Sequence, residues 1–321
     1  MIEIKGLTKT YGTLTAVDHL ELTIERGKVF GFLGPNGAGK TTTMRMITGF
    51  LPPSGGAVRV AGRDLARDPL GVRAAIGYLP ENIALYPEMR VEEYLRFRAA
   101  IEGVPSRDAA ARLDEVAERC MVADVRRQLI GTLSKGYRQR VGLAGALIHK
   151  PPVLILDVPT VGLDPRQIVK VRELIAELGR DHTVILSTHI LPEVEQVCRR
   201  VLIIDNGKIV ADGTPDSLRS GLAGAAELAV QLEAPEGDAR SALAALAGAA
   251  GVKSDGNGRF RVAVEGGADL RRHVFALAVE RKWVLLELTQ TMPSLEDVFL
   301  RLTTRDTAVE AAEPAEEVAN G

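Results

Sequence analysis

The chain has 321 residues, 46% hydrophobic and 26% charged, with a formal net charge of −2, so it can build a large core and carries no global basic field of the kind that holds nucleic acid. Its two cysteines, Cys120 and Cys198, lie far apart with no Cys or His at metal-ligand spacing, which argues against a disulfide framework and for neutral thiols in a reducing compartment. No apolar run reaches the roughly 18 residues of a membrane-crossing helix, and Met1 to Lys5 lacks the pattern of a signal peptide.

In chain order, Ile2 to Lys5 reads as a short strand and His19 to Ile24 alternates as a half-buried strand does. Val29 to Leu33 is an apolar strand running straight into a glycine-rich loop, and Thr41 to Phe50 is helical. Gly55 to Gly62 is a strand and turn, and Ala75 to Leu79 another strand. Val91 to about Ala123 carries Leu95, Ala99, Leu113 and Val116 at helical spacings, and Gly136 to His149 is a second helical run. Val153 to Leu156 has the unbroken apolar character of a central strand. Arg166 to Gly179 (helix), Thr183 to Ser187 (strand), Leu191 to Arg199 (helix) and Val201 to Ile204 (strand) follow. This alternation predicts an α/β fold with a largely parallel sheet covered on both faces.

The character changes near Gly221. Strands at Leu228 to Leu232, Arg259 to Val264 and Trp283 to Leu288 interleave with helices at Arg240 to Leu246, Leu270 to Val279 and Ser294 to Leu302. The order suggests a small α+β domain over 221–303, compatible with a ferredoxin-like arrangement. From Thr304 the chain is rich in Ala and Glu without periodicity, and reads as a solvated acidic tail over 304–321.

Between the strand at Val29 and the helix at Thr41 lies Gly34-Pro35-Asn36-Gly37-Ala38-Gly39-Lys40-Thr41, a full phosphate-binding loop in its proper context. The glycines let backbone N–H groups turn toward the phosphates of ATP, and the helix N-terminus adds its positive dipole end. Lys40 can reach the β- and γ-phosphates, the Thr41 hydroxyl can ligate Mg²⁺, and Thr42 can add a contact near the α-phosphate. Such a loop needs a further acid for Mg²⁺, and Val153-Leu154-Ile155-Leu156-Asp157 supplies one at a strand end.

Leu133-Ser134-Lys135-Gly136-Tyr137-Arg138-Gln139-Arg140 resembles the signature motif of ABC-type ATPases, with Ser134 and Gly136 kept and Lys135 and Tyr137 departing from the commonest Gly and Gln. The variant looks like that of the exporter branch handling drugs, polysaccharides and sodium. The resemblance covers about Met1 to Arg219 and implies a P-loop ATPase domain over 1–220 with a helical subdomain at about 91–145. It also implies roles. Tyr11 would stack on adenine; Ser134 and Gly136 would face the nucleotide of a second subunit. Gly162-Leu163-Asp164-Pro165 would be the D-loop reaching the opposite site, and His189, in Ser187-Thr188-His189, the switch histidine near the γ-phosphate. The C-terminal part, closing on Ser294-Leu295-Glu296-Asp297-Val298-Phe299, resembles the accessory domain of some such exporters.

Two positions depart from that family. The Glu that usually follows the Mg²⁺-binding Asp is Val158, which can neither accept a proton nor orient water. Loss of a positioned base costs roughly 10²–10⁴-fold in rate, so the expectation is a chain that binds ATP and closes but turns over slowly. In Tyr78-Leu79-Pro80-Glu81 the usual Gln is Glu81, which can still ligate Mg²⁺ or hold water. The resemblance implies a cytoplasmic subunit, attached to the membrane through a permease that docks near Glu81 to Glu88, paired with itself or with a second ATP-binding subunit, and with no nucleic-acid partner. A non-transport, ATP-gated regulatory or binding module is the alternative, which Val158 favours.

Overall fold

The computed structural model describes residues 2–188, 190–221, 226–265, 268–291 and 294–303. The chain divides into two compact units, Met1–Gly213 and Thr214–Gly321.

The first unit runs β1 (Ile2–Tyr11), β2 (Leu14–Ile24), β3 (Val29–Leu33), α1 (Lys40–Ile47), β4 (Gly55–Val60), β5 (Arg63–Asp64), α2 (Pro69–Ala74) and β6 (Ile76–Leu79). It continues with α3 (Val91–Ile101), α4 (Ser106–Arg119), α5 (Lys135–Leu147), β7 (Val153–Asp157), α6 (Pro165–Asp181), β8 (Thr183–Ser187), α7 (Leu191–Val197), β9 (Arg200–Asp205) and β10 (Lys208–Gly213).

A six-stranded sheet in the order β10-β9-β3-β8-β7-β6 forms its centre. β9, β3, β8, β7 and β6 pair in parallel, and β10 closes one edge antiparallel to β9. Every residue of β3, β7 and β8 is buried, which is why these strands read as continuous apolar runs rather than alternating ones. The parallel strands end on one edge, where open α/β sheets place ligands.

The single largely parallel sheet expected from the alternation is only part of this unit. β2, β1, β4 and β5 form a separate four-stranded antiparallel sheet. Its inner residues, among them Ile2, Ile4, Leu22, Ile24, Val58 and Val60, share one apolar core with Phe30, Phe32, Met44 and Ile155. β1 extends well past Lys5, through register shifts that carry it to Tyr11. The helical run expected from Val91 to Ala123 is two helices, because Val104 and Pro105 break it and Pro105 caps α4. α3, α4 and α5 pack together. Arg112 of α4 donates from Nε to Ile148 O at 3.0 Å and from Nη2 to Leu147 O at 2.8 Å, placing a cation on the last carbonyls of α5.

The second unit runs α8 (Pro215–Gly221), β11 (Ala226–Glu233), α9 (Glu236–Ala244), β12 (Ala249–Gly256), β13 (Arg259–Val264), α10 (Arg271–Arg281), β14 (Val284–Thr291) and α11 (Leu295–Thr303). Its antiparallel sheet has the order β12-β13-β11-β14, and its core gathers Leu228, Val230, Leu232, Phe260, Val262 and Val264 with Leu243 and Val274. From β11 to β14 the elements follow the β-α-β-β-α-β order of ferredoxin-like units. The strand missed in the sequence is β12, whose glycines and polar residues hide its period. The acidic tail at 304–321 lies outside the described residues.

Candidate nucleotide site

The glycine-rich loop leaves β3 and enters α1, as its pattern requires. Gly37 and Gly39 stand at φ 84° and 100°, in the region that favours glycine. A side chain at Gly39 would lie 2.4 Å from the Ala16 carbonyl, and one at Gly34 2.4 Å from the Ile204 carbonyl. The loop is therefore clamped between β2 and the end of β9. The turn after β9 adds a third brace: Gly207 N–H donates to Ala38 O at 3.1 Å, and Asp18 N–H donates to Gly207 O at 3.0 Å. No side chain caps the start of α1, so no cap competes for its first N–H groups.

Lys40 folds across this loop, Nζ donating to Gly34 O at 2.7 Å and Pro35 O at 2.8 Å. Burial lowers its pKa, while the charges of Asp157 and Glu81 raise it. Asp157, 2% exposed at the end of β7, has one carboxylate oxygen, Oδ2, with no hydrogen-bond partner. Burial pushes its carboxyl up; Ser187 pulls it down, Glu81 pushes it further up and Lys40 pulls it down. Burial is the largest of these effects and sets the direction. The mutual charge effects place Lys40, Asp157 and exposed Glu81 in one electrostatic neighbourhood. A buried, unpaired carboxylate oxygen near the loop that starts α1 suits a divalent cation held partly by phosphate oxygens. Thr41, half-buried in the first turn of α1, is the hydroxyl available to it, and Thr42 follows beside it. Among the described residues no group of three Cys, His, Asp or Glu side chains forms a metal site of its own.

Beyond Asp157 the backbone turns abruptly. Val158 has φ 46°, a left-handed conformation disfavoured for a β-branched residue and opposed again by the proline that follows. Three bonds hold its peptide groups: its N–H donates to Ser187 O at 2.7 Å, and its carbonyl accepts from Gln139 Nε2 at 3.3 Å and from Val161 N–H at 3.3 Å. Its side chain, 5% exposed, is packing and not a proton acceptor. Two residues on, Thr160 Oγ1 donates to Glu193 Oε2 at 3.1 Å, and Thr188 Oγ1 reaches the same oxygen at 3.4 Å. Glu193, 2% exposed, therefore joins the turn after β7 to the loop after β8. His189 lies outside the described residues. No local motif announced Glu193 or the Ala16 and Gly207 braces, although Asn206-Gly207 between two strands is a recognisable hairpin signal; Gln139 lies inside the signature-like segment, where nothing local reveals its contact with Val158.

Ser134 caps α5, its Oγ accepting from Tyr137 N–H at 3.2 Å, and stays exposed. Gly136 is buried, and a side chain there would stand 2.6 Å from Gln167 Oε1. Its glycine thus serves helix packing in this chain. Tyr137 donates to Asp124 Oδ2 at 2.6 Å, and Arg140 stacks 4.1 Å from the Tyr137 ring centre. Asp164 caps α6 through Gln167 N–H at 2.9 Å. Tyr11 stands 48% exposed beside the β1–β2 hairpin, with Lys9 Nζ 5.2 Å from its ring centre.

A family model described as ABC transporter matches residues 17–161. The daunorubicin resistance ATP-binding protein DrrA3 of Streptomyces coeruleorubidus is 37% identical over 97% of this chain and 98% of its own length. The linearmycin resistance ATP-binding protein LnrL of Bacillus subtilis is 34% identical over 95% of this chain and 99% of its own. Among solved structures, an ATP-binding subunit of an ABC transporter aligns with a TM-score of 0.65 at 32% identity, over 69% of this chain and 93% of that one. The dimeric ABC transporter cassette MJ0796, at 24% identity and a TM-score of 0.62, shares the fold.

Proposed function

Because the chain belongs to the ABC transporter family of ATP-binding proteins, matched nearly end to end by its relatives, we propose that it powers an exporter by closing on ATP against a second ATP-binding subunit. The observation that carries this reading is the buried Asp157 carboxylate, its Oδ2 unpaired at the end of β7, in the same sheet whose β3 runs into the glycine-rich loop that Lys40 folds across.

In this reading the backbone N–H groups of 34–41 and Lys40 hold the phosphates, and Tyr11 stacks on the base. Mg²⁺, held by Thr41 and Asp157 with Glu81 beside it, would offset phosphate charge. Ser134 and Asp164 face the nucleotide of the other subunit, with Gly136 packing the helix behind Ser134, while His189 senses the γ-phosphate of its own. The relatives' names speak of resistance to daunorubicin and linearmycin, so a drug-like substrate reaching a separate permease is the fitting cargo. Among the described residues no helix is long and apolar enough to cross a membrane; the permease supplies the path, and this chain sits on its cytoplasmic side.

Val158 limits the rate. With valine where a carboxylate would poise the attacking water, closure proceeds and hydrolysis is slow. Steady-state Mg·ATP hydrolysis by the parent chain and by Val158→Glu, with ATP binding measured in both, tests this. The variant should turn over faster by roughly 10²-fold or more. Equal rates would mean that another group, Glu81 or His189, positions the water.

Val158 also supports a second reading, an ATP-gated binding module without transport. Purification from native membranes separates the two: co-purification with a membrane-spanning protein supports the exporter, and recovery of the chain alone in the soluble fraction supports the module.

A further inference from the structure

Helix α5 touches parts of the nucleotide site that chain order keeps apart. In its first turn, a side chain at Gly136 would stand 2.6 Å from Gln167 Oε1 and 3.0 Å from Leu163 Cδ2, and one at Gly162 would stand 2.5 Å from the Lys135 stem. Next along the helix, Gln139, 4% exposed, donates to the Val158 carbonyl. At Gly142 the helix runs so close to the chain after β6 that a Cβ would lie 2.7 Å from Ile83 Cδ1. Its far end is pinned by the two Arg112 bonds to Leu147 and Ile148. The helix is thus a rod seated against the Asp164 loop, the Asp157 strand end and the Glu81 loop.

The Val158 turn explains why the middle contact matters. A valine before proline at φ 46° persists only where neighbours over-determine it. Its N–H bond to Ser187 O continues the β7–β8 pairing and its carbonyl accepts Val161 N–H at 3.3 Å within the turn itself, so the Gln139 bond is the one supplied by a separate helix. We infer that Gln139 is a positioning residue: it locks the peptide after Asp157 into its left-handed turn, and so makes the Ser134 turn and the Asp157 strand end move as one body. A change at one chain's metal carboxylate would then reach the surface that the same chain offers to its partner. That second half rests on the closure proposed above; the lock itself does not.

Amide hydrogen exchange at Val158 in the isolated, nucleotide-free chain reads the lock directly. Gln139→Leu should speed exchange of that N–H about tenfold, the effect of one lost buried hydrogen bond. In a Val158→Gly background the same substitution should change it less than about twofold, because glycine adopts positive φ unaided. An unchanged rate in Gln139→Leu, or the same factor in both backgrounds, overturns the lock. If Gln139→Leu does not fold, Gln139→Met keeps the length, offers no donor and carries the same expectation.

Self-association driven by Mg·ATP, followed by sedimentation, then reads the coupling. It should weaken about tenfold in Gln139→Leu, while ATP binding to the single chain moves less than about twofold. If exchange rises and the parent chain associates but the variant associates equally well, the coupling is overturned and the lock stands. If exchange rises but no parent association is seen with ATP, the closure reading fails and the lock again stands.

Discussion

Two abrupt turns lie at strand ends of one sheet, and they solve the same backbone problem differently. The phosphate loop after β3 places its positive φ angles on Gly37 and Gly39. The turn after β7 places one on Val158 and holds it with a bond to Ser187 O, a local bond from Val161 N–H and a distant one from Gln139. In the first, the solution is written locally and can be read residue by residue. In the second, it is written partly in a helix that begins well upstream of the turn. Local chemistry thus makes a rigid cradle, whereas the distant bond makes a turn whose geometry depends on another element.

The largest effect expected comes from breaking the glycine side. Gly39→Ala would drive a Cβ to 2.4 Å from the Ala16 carbonyl at φ 100°. It should cost about 4 kcal/mol in urea unfolding and remove measurable ATP binding. An unchanged midpoint would show that the loop is not clamped against β2.

Asp157 sharpens the comparison through pH. Burial raises its pKa in the folded chain, so folding holds that proton more tightly than the unfolded chain does. The stabilisation is complete below the ordinary carboxylate range and is lost as pH rises through the raised value, where the buried group must ionise. Asp157→Asn should therefore raise the melting temperature at pH 7 by roughly 3 °C, and by less at pH 4, while ending the Mg²⁺ dependence of ATP binding. Equal gains at both pH values would show that ionisation at this position carries no cost.

The smallest effect tests the valine side. Elsewhere glycine is less stabilising than alanine by roughly 0.5–1 kcal/mol in regular structure. At position 158 the order should invert, Val158→Gly being more stable than Val158→Ala by about 1 kcal/mol, because both lose the same packing and only alanine keeps the strained Cβ. Thermal melts of the pair decide it, and alanine ranking above glycine would deny the strain.

This contrast also marks where the sequence was legible. The phosphate loop occupies consecutive positions, and the strand ending at Asp157 is an unbroken apolar run, so both stood out together with Ser134, Asp164 and the Glu81 position. The β-α-β-β-α-β order near the C-terminus was visible through its apolar periods, apart from β12. What did not show depends on tertiary contact. The antiparallel sheet of β1, β2, β4 and β5 has polar, irregular stretches such as Thr8 to Thr10, where register shifts blur the alternation. The split of the helical run rests on one Val104-Pro105 step. Gln139 stands inside the signature-like segment, yet its contact is not legible until its amide is found on the Val158 carbonyl. Glu193 likewise reads as one of several helical acids until Thr160 and Thr188 are seen on it.

The Gly207 turn bears on where this unit can be cut. Every recognised motif of the first unit lies before Ile190, yet the N–H that steadies Ala38 and the carbonyl that steadies Asp18 both come from Gly207. A fragment ending at the last motif would keep the whole inventory and lose this brace, along with the β9 and β10 strands that carry it. A truncation that keeps this brace and both strands flanking it therefore runs through Gly213, the end of β10.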